Sequence, residues 1–394
     1  MTTSGQVTPD TLRLRAAVIG TGFVGPHHVD AARRTGYATV EVLVGSDPGR
    51  TAERARSLGV PRWTTEVRAT IEDPGIDVVH VCSPNRTHVA LGIAVLAAGK
   101  HLVLEKPVAL DPASAGRLAA VARRSGRHAM VALTYRGYPM VRRARAAVAA
   151  GELGEIRLVH GTYLQDWVSD PRDYNWRVDP DAGGPSRAVA DIGTHWMDTA
   201  EFVTGARVRE VFADLAIATL IPVRSRPLGS AAAFARATGE EEQVRVSSED
   251  AATILLRFDG GARGACVISQ VSTGRKNAFT LDVDGSLASL SWQQERPEQL
   301  WLRARTEFRT LTRDPAEQPA MGVPWLPAGH PEGWGEALRD LVRDFYPAIA
   351  AGASPGEAPA PYPTLGDGAR SLDLVAAVLE SSRRGTWVDV GVPG

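Results

Sequence analysis

The chain predicts an α/β protein in which a doubly wound parallel sheet is followed by an α+β domain on a mostly antiparallel sheet. Three observations carry this. From Arg13 to Leu133 short apolar runs alternate with helical segments, the pattern of a parallel sheet with crossover helices. The first run ends in Gly20-Thr21-Gly22-Phe23-Val24-Gly25. After Tyr135 strand candidates separated by turn signals replace the alternation, which implies a second architecture. A length of 394 residues also exceeds one ordinary core.

In order, Leu14–Ile19 reads as a buried strand, and a helix follows to Gly36, a C-terminal cap. Strands are expected at Thr39–Val44, Asp77–Cys82, His101–Leu104 and Ala129–Leu133, with helices at Arg50–Leu58, Thr87–Ala98 and from Asp111-Pro112 to Gly126. Asp111 caps that last helix and Pro112 fits its first turn. The second domain opens with a helix, Pro139–Ala150, and a long strand, Ile156–Val168. A polar loop, Ser169–Arg187, precedes a helix near Ala190–Val203. Strands are then expected at Val208–Ala218, Ala251–Phe258, Ala262–Val271, Ala278–Val283 and Ala288–Trp292, with Asp259-Gly260-Gly261 as a hairpin turn. Leu338–Ala350 and Ala369–Ser382 close the chain as helices. Pro222–Ser247 interrupts the strand pattern and reads as a long insert loop, mobile when free. The expected domains are 13–135 and 136–394, after a disordered polar tail at 1–12.

The bulk numbers exclude several classes. A net charge of -1 argues against nucleic acid or an anionic membrane as partner. Cys82 and Cys266 are the only cysteines, too few for a disulfide framework or a soft-metal site. No basic start precedes an apolar run, so no secretory signal is expected. Nor is a membrane span. A reducing, cytoplasmic setting fits.

The glycine motif follows a strand and opens a helix. There Gly20 allows the tight turn, Gly22 lets a pyrophosphate approach, and Gly25 lets helix and strand pack closely, with Phe23 and Val24 between them. This predicts a Rossmann dinucleotide site. The second strand ends in Gly45-Ser46 rather than a carboxylate. Asp47, just beyond, either reaches a ribose hydroxyl or caps the next helix, its more ordinary role. With Arg50 nearby, the cofactor is NAD or NADP, and NAD is favoured. Ser83-Pro84-Asn85 lies at a strand's carboxyl end, where ligands bind in such sheets, or is a plain turn capping Thr87. His27 and His28 read as packing or surface residues.

Oxidising an alcohol with a nicotinamide requires a base and a positive donor. Lys106, in Glu105-Lys106-Pro107 at a strand's end, suits the donor. His195 suits the base: in a regular helix Asp191, His195 and Asp198 fall at i, i+4 and i+7 on one face, and a carboxylate orients a histidine. The alternative is a core histidine bound to a capping aspartate. A metal site lacks a third soft ligand. Trp167, Tyr174, Trp176 and Trp196 gather around polar loops, either as core or as faces for a sugar ring.

These motifs resemble the Gfo/Idh/MocA family. The likeness runs through Gly20–Gly25, Ser83-Pro84-Asn85 with His88, Glu105-Lys106-Pro107, Tyr135-Arg136 and Gly151–Ile156. It continues through Gln165-Asp166-Trp167, Asn175-Trp176-Arg177, Asp191–Asp198, Ser248-Glu249-Asp250 and Gly274–Asn277, covering nearly the whole chain. It implies an open C-terminal sheet whose face makes the contact of a dimer or tetramer. It implies Lys106, Asp191 and His195 as the catalytic set, with Tyr135, Trp167 and Tyr174 also at the substrate. Ser46, His88, Glu105, Trp176 and Arg177 join the cofactor residues. The expected reaction moves a hydride between nicotinamide and a secondary hydroxyl of a sugar, glycoside or cyclitol. The alternative is NAD-assisted glycoside cleavage by oxidation and elimination. A dinucleotide-binding sensor would lack Lys106 or His195, and both are present. Gly45-Ser46 departs from strictly NAD-using members, and the 222–247 insert adds surface, a lid over the substrate.

Overall fold

The computed structural model describes residues 13–391 except 180–182, 218–220, 222, 228–234, 237–240, 315–324, 353–354 and 357–358. The expected tail therefore lies outside the described residues, as does part of the insert. The chain divides into two compact units. The first holds the described residues up to Ala109 with Ala113–Gly137 and Trp334–Ala369; the second holds Leu110–Pro112, Tyr138–Gly333 and Arg370 onward.

The first unit is built on six parallel strands: β1 (Leu14–Ile19), β2 (Ala38–Val44), β3 (Arg62–Thr64), β4 (Val78–Val81), β5 (His101–Leu104) and β6 (Ala129–Val131). Their spatial order is β3-β2-β1-β4-β5-β6, the doubly wound order whose direction reverses between β1 and β4. Helices α1 (Val24–Arg34), α2 (Pro48–Ser57), α3 (Val67–Glu72), α4 (His88–Ala97) and α5 (Pro112–Arg124) connect them. Central strands are apolar without alternation because both faces are covered: every residue of β4 is buried, and all of β1 but Arg15. The expected elements lie within a few residues of their observed bounds. β3 and α3 have no counterpart in the sequence reading. β3 has three residues, two of them exposed, so it carries no periodic signal.

The second unit opens with α6 (Pro139–Ala149) and β7 (Ile156–Leu164), continues through β8 (Asp173–Tyr174), and reaches α7 (Thr194–Thr204). β9 (Val208–Ile217), β13 (Glu249–Phe258), β14 (Arg263–Ser269), β15 (Ala278–Gly285), β16 (Ala288–Gln293), β17 (Gln299–Ala304) and β18 (Phe308–Thr312) follow, and β19 (Val388–Asp389) comes last. With β7 these form a nine-stranded sheet, β18-β17-β16-β15-β7-β14-β13-β9-β19. Only the β7–β14 pair is parallel. β13 alternates buried and outward positions, as a sheet covered on one face requires. β17 and β18 were not expected; β18 is the edge strand and exposes most of its residues, and β17 beside it mixes Gln and Arg with its apolar positions, which mutes an apolar pattern.

Two expectations are corrected. The 222–247 insert is not a structureless loop. Its β10 (Val223–Pro227) pairs antiparallel with β12 (Glu241–Arg245), and β11 (Ala235–Arg236) pairs with β8. Nor does the second domain run unbroken from 136. Helix α8 (Trp334–Ala350) belongs to the first unit, because Leu338, Leu341, Val342, Phe345 and Tyr346 enter the core that holds Ala16, Val18, Val78 and Val103. Helix α9 (Leu365–Arg384) gives its first residues to the first unit and the rest to the second.

Candidate active site

In the first unit the carboxyl ends of β1, β4 and β5 carry the glycine turn, Ser83-Pro84-Asn85 and Glu105-Lys106, side by side at the point where strand order reverses. Gly20 has φ +122°, and a Cβ there would lie 2.4 Å from the Cys82 carbonyl oxygen; a Cβ on Gly25 would lie 2.1 Å from the Gly20 oxygen. At Gly22 a Cβ would meet nothing within 4 Å. The turn is thus pressed against protein at both ends and open in the middle. Helix α1 begins without a side-chain cap and without an acidic residue in its first turn, leaving its amide groups and dipole available to an anion. These residues fit a dinucleotide pyrophosphate.

Around this turn, Phe23 is exposed and stacks on Trp334, while Val24 packs at the edge of the core. Gly45 has no room for a side chain, since a Cβ would lie 2.1 Å from Thr51 Oγ1. Ser46 is exposed. Asp47 caps α2 by accepting from the Arg50 amide at 2.8 Å, the more ordinary of its two roles. Ser83 shares a 2.6 Å hydrogen bond with Thr87, and Asn85 is buried.

His88, expected at the cofactor, is a structural staple. Its ring nitrogens lie 2.7 Å from the Pro107 carbonyl oxygen and 2.8 Å from that of Ser83, so the buried ring is wedged between the loops that follow β4 and β5 and donates to one of them. Lys106 is half-buried, and its peptide to Pro107 is cis. Tyr135 sits in the turn after β6 with 2% of its surface exposed.

In the second unit, Asp191 is held by two donors. Arg177 Nε lies 3.2 Å from Oδ1, and Gln270 donates to Oδ2 at 2.8 Å. Arg177 in turn lies over the Trp176 ring, 4.5 Å from its centre. A small cleft is lined by Trp167, Asn175, Arg177, Arg187, Asp191 and Gln270. His195, buried at 8% exposure, stands in the first turn of α7.

The expected regular helix is corrected here. Val189–Gly193 is wound as a π-turn that runs into α7, so the i, i+4, i+7 face of an α-helix does not carry across Asp191. Two of the aromatic residues are buried. Trp196 is fully buried and donates from Nε1 to the Thr280 carbonyl at 2.9 Å; it is core. Tyr174 packs with Val178 and Val246 and hydrogen-bonds Arg226 of the insert, because β8 is drawn into the small sheet with β11. Gln270 was missed: it lies just past β14, and nothing in the sequence ties it to Asp191.

Residues 14–133 match the family model described as "Oxidoreductase family, NAD-binding Rossmann fold", and residues 141–291 match the GFO/IDH/MocA C-terminal domain. The chain belongs to the Gfo/Idh/MocA oxidoreductase family. Family members similar to it include levoglucosan dehydrogenase of Pseudarthrobacter phenanthrenivorans, 32% identical over 96% of this chain and 98% of the relative. Myo-inositol 2-dehydrogenase of Thermotoga maritima is 28% identical over 64% of this chain and 67% of its own length. Among solved structures, levoglucosan dehydrogenase in complex with NADH and levoglucosan superposes with a TM-score of 0.86 at 30% identity, covering 96% of this chain and all of that one. An oxidoreductase domain protein from Kribbella flavida gives 0.87 at 33% identity, covering 97% of this chain and 100% of that one. The chain is therefore an oxidoreductase with an NAD-binding Rossmann unit. Among the described residues no helix is long and apolar enough to cross a membrane, and no cluster of side chains is arranged to hold a metal.

Proposed function

We propose that the protein is an NAD-dependent dehydrogenase that oxidises a secondary hydroxyl of a sugar, glycoside or cyclitol, reversibly. The observation that carries this reading is the meeting of the uncapped α1 terminus, the open Gly22 and Glu105-Lys106 at one edge of the parallel sheet. When bound, the nicotinamide supplies the hydride acceptor. The residues of this chain do the rest. Gly20, Gly22 and Gly25, with Ser83-Pro84-Asn85, seat the dinucleotide. Lys106 stabilises negative charge growing on the substrate oxygen, and His195 takes the hydroxyl proton. Asp191, fixed by Arg177 and Gln270, offers a carboxylate to substrate hydroxyls beside the Trp167 face. NAD is favoured over NADP because three of the similar structures hold NADH and another holds NAD+. The relatives named for an activity are dehydrogenases and a reductase, which lends no support to oxidation–elimination.

The test is growth of the reduced-nicotinamide absorbance with NAD and with NADP against a panel of anhydrosugars, glycosides and inositols. A signal with one substrate class and NAD supports the reading. Released aglycone with no net reduced cofactor would overturn it.

The same reading includes a homo-oligomer, a dimer or tetramer. Leu158, Leu255 and Val267 stand exposed on neighbouring central strands of the nine-stranded sheet, an apolar surface of the kind that oligomers cover. A Leu255→Glu, Val267→Glu variant is expected to sediment as a smaller species than the parent; an unchanged sedimentation coefficient refutes this interface. Both cysteines are buried and free, consistent with a cytoplasmic setting, which cell fractionation reads directly.

A further inference from the structure

Four buried polar side chains lie in a row behind Lys106. Glu105 Oε1 is 2.9 Å from His28 Nε2; His28 Nδ1 is 3.0 Å from His80 Nδ1; His80 Nε2 is 2.8 Å from the Tyr346 hydroxyl. His28, His80 and Tyr346 are wholly buried, and Glu105 is 8% exposed. They come from α1, β4, α8 and the end of β5. The other carboxylate oxygen, Glu105 Oε2, accepts the backbone amide of Lys106 at 3.1 Å. We propose that this row is a one-way hydrogen-bond relay that fixes Glu105, and through it Lys106, making His28, His80 and Tyr346 positioning residues for the dehydrogenase reaction. The proposal rests on the role given to Lys106 above.

The direction follows from donor and acceptor inventories. A carboxylate only accepts, so His28 donates from Nε2. Between the two facing Nδ1 atoms one must donate. The buried Tyr346 hydroxyl decides which: its hydrogen-bond partner among the described residues is His80 Nε2, and it supplies the proton of that bond. His80 therefore donates from Nδ1, its Nε2 accepts, and the Tyr346 hydroxyl donates. Every dipole then points its positive end toward Glu105. Burial, with His28 beside it, holds His80 well below the ordinary histidine value, so it stays neutral. Burial pushes the Tyr346 phenol far up, so it keeps its proton and the row ends there. Burial pushes the Glu105 carboxyl up, but its surroundings, the His28 hydrogen bond foremost and the Lys106 charge among them, outweigh it and leave the carboxyl below its ordinary value. His27 and Cys82 also feel the Glu105 charge. Because the row stops at a sealed phenol, it is a polarised prop and not an exit for protons.

The tests use the full chain labelled with 15N-histidine. The expected spectrum has His28 protonated only at Nε2 and His80 only at Nδ1; a doubly protonated His28, or His80 protonated at Nε2, overturns the relay. In kinetics, His28→Leu should lower kcat about tenfold, as loss of a buried hydrogen bond to a charged group implies, with NADH affinity within about twofold. His28→Gln, which keeps a donor at the Nε2 position, should restore most of it. Full activity in His28→Leu, or loss of NADH binding in both variants, refutes the positioning role. Lys106→Ala is run alongside: full turnover there would refute the role of Lys106 while the histidine spectra still judge the relay.

Discussion

Replacing His195 by alanine is expected to lower kcat by about a hundred- to ten-thousand-fold, the usual contribution of a positioned general base. NADH binding should survive. His195 lies in the second unit, on α7, whereas the glycine turn, Ser83-Pro84-Asn85 and Glu105-Lys106 belong to the first. The variant leaves the neighbouring Asp191 bound to Arg177 and Gln270, so the cleft should persist. A stopped-flow comparison at saturating NAD and sugar, together with NADH titration, separates the two outcomes. If turnover stays within about threefold of the parent, His195 is not the base.

The largest effect on stability is expected at Asp250. It is fully buried, its Oδ1 pairs with both Arg187 and Arg224, and Arg224 Nη2 lies 3.2 Å away. Both guanidiniums are buried. Burial, and then the charge of Arg187, bring Arg224 down to about 10 even with Asp250 in place. Removing Asp250 leaves two like charges facing each other in the core. Glu249 remains nearby, but burial raises its carboxyl toward neutrality. Breaking such a pair costs about 3–5 kcal/mol, a fall on the order of 10 °C in the unfolding midpoint. Asp250→Ala should also disturb substrate binding, because Arg224 donates to the carbonyls of Asp170 and Asp173 at 3.2 and 3.3 Å. That contact ties the insert to the loop carrying Asn175, Trp176 and Arg177. Calorimetry reads the first effect and KM for the sugar the second; an unchanged midpoint would show that the triad contributes nothing net.

The parallel sheet was legible because its strands are buried on both faces and read as plain apolar runs between glycine stops, as at Leu14–Ile19 and Gly36. The glycine turn was legible because its spacing and its strand–helix setting coincide. Edge strands such as Phe308–Thr312 were not, since solvent leaves their composition free. The π-turn at Val189–Gly193 leaves no periodic mark, so Asp191 and His195 looked like one regular face. Polar neighbours in sequence say little about what lies across a sheet, which is why Trp196 can be read from the sequence either as core or as a sugar face. Contacts between distant positions were hidden altogether. Gln270 and Asp191 are 79 residues apart, and the partners His80 and Tyr346 are 266 apart.

The return of Trp334–Ala369 to the first unit has a consequence for synthesis. The first six strands leave the ribosome early, yet the helix that supplies Leu338, Leu341, Val342 and Phe345 to their core emerges only after the whole nine-stranded sheet except β19 has been made. Until then Val18, Val78 and Val103 lack part of their cover. The nucleotide-binding half must wait, partly collapsed and aggregation-prone, for nearly the entire chain. A fragment ending at Gly137 is therefore an unfinished core rather than a minimal domain, and early termination would yield a substrate for chaperones and proteases instead of a working cofactor site.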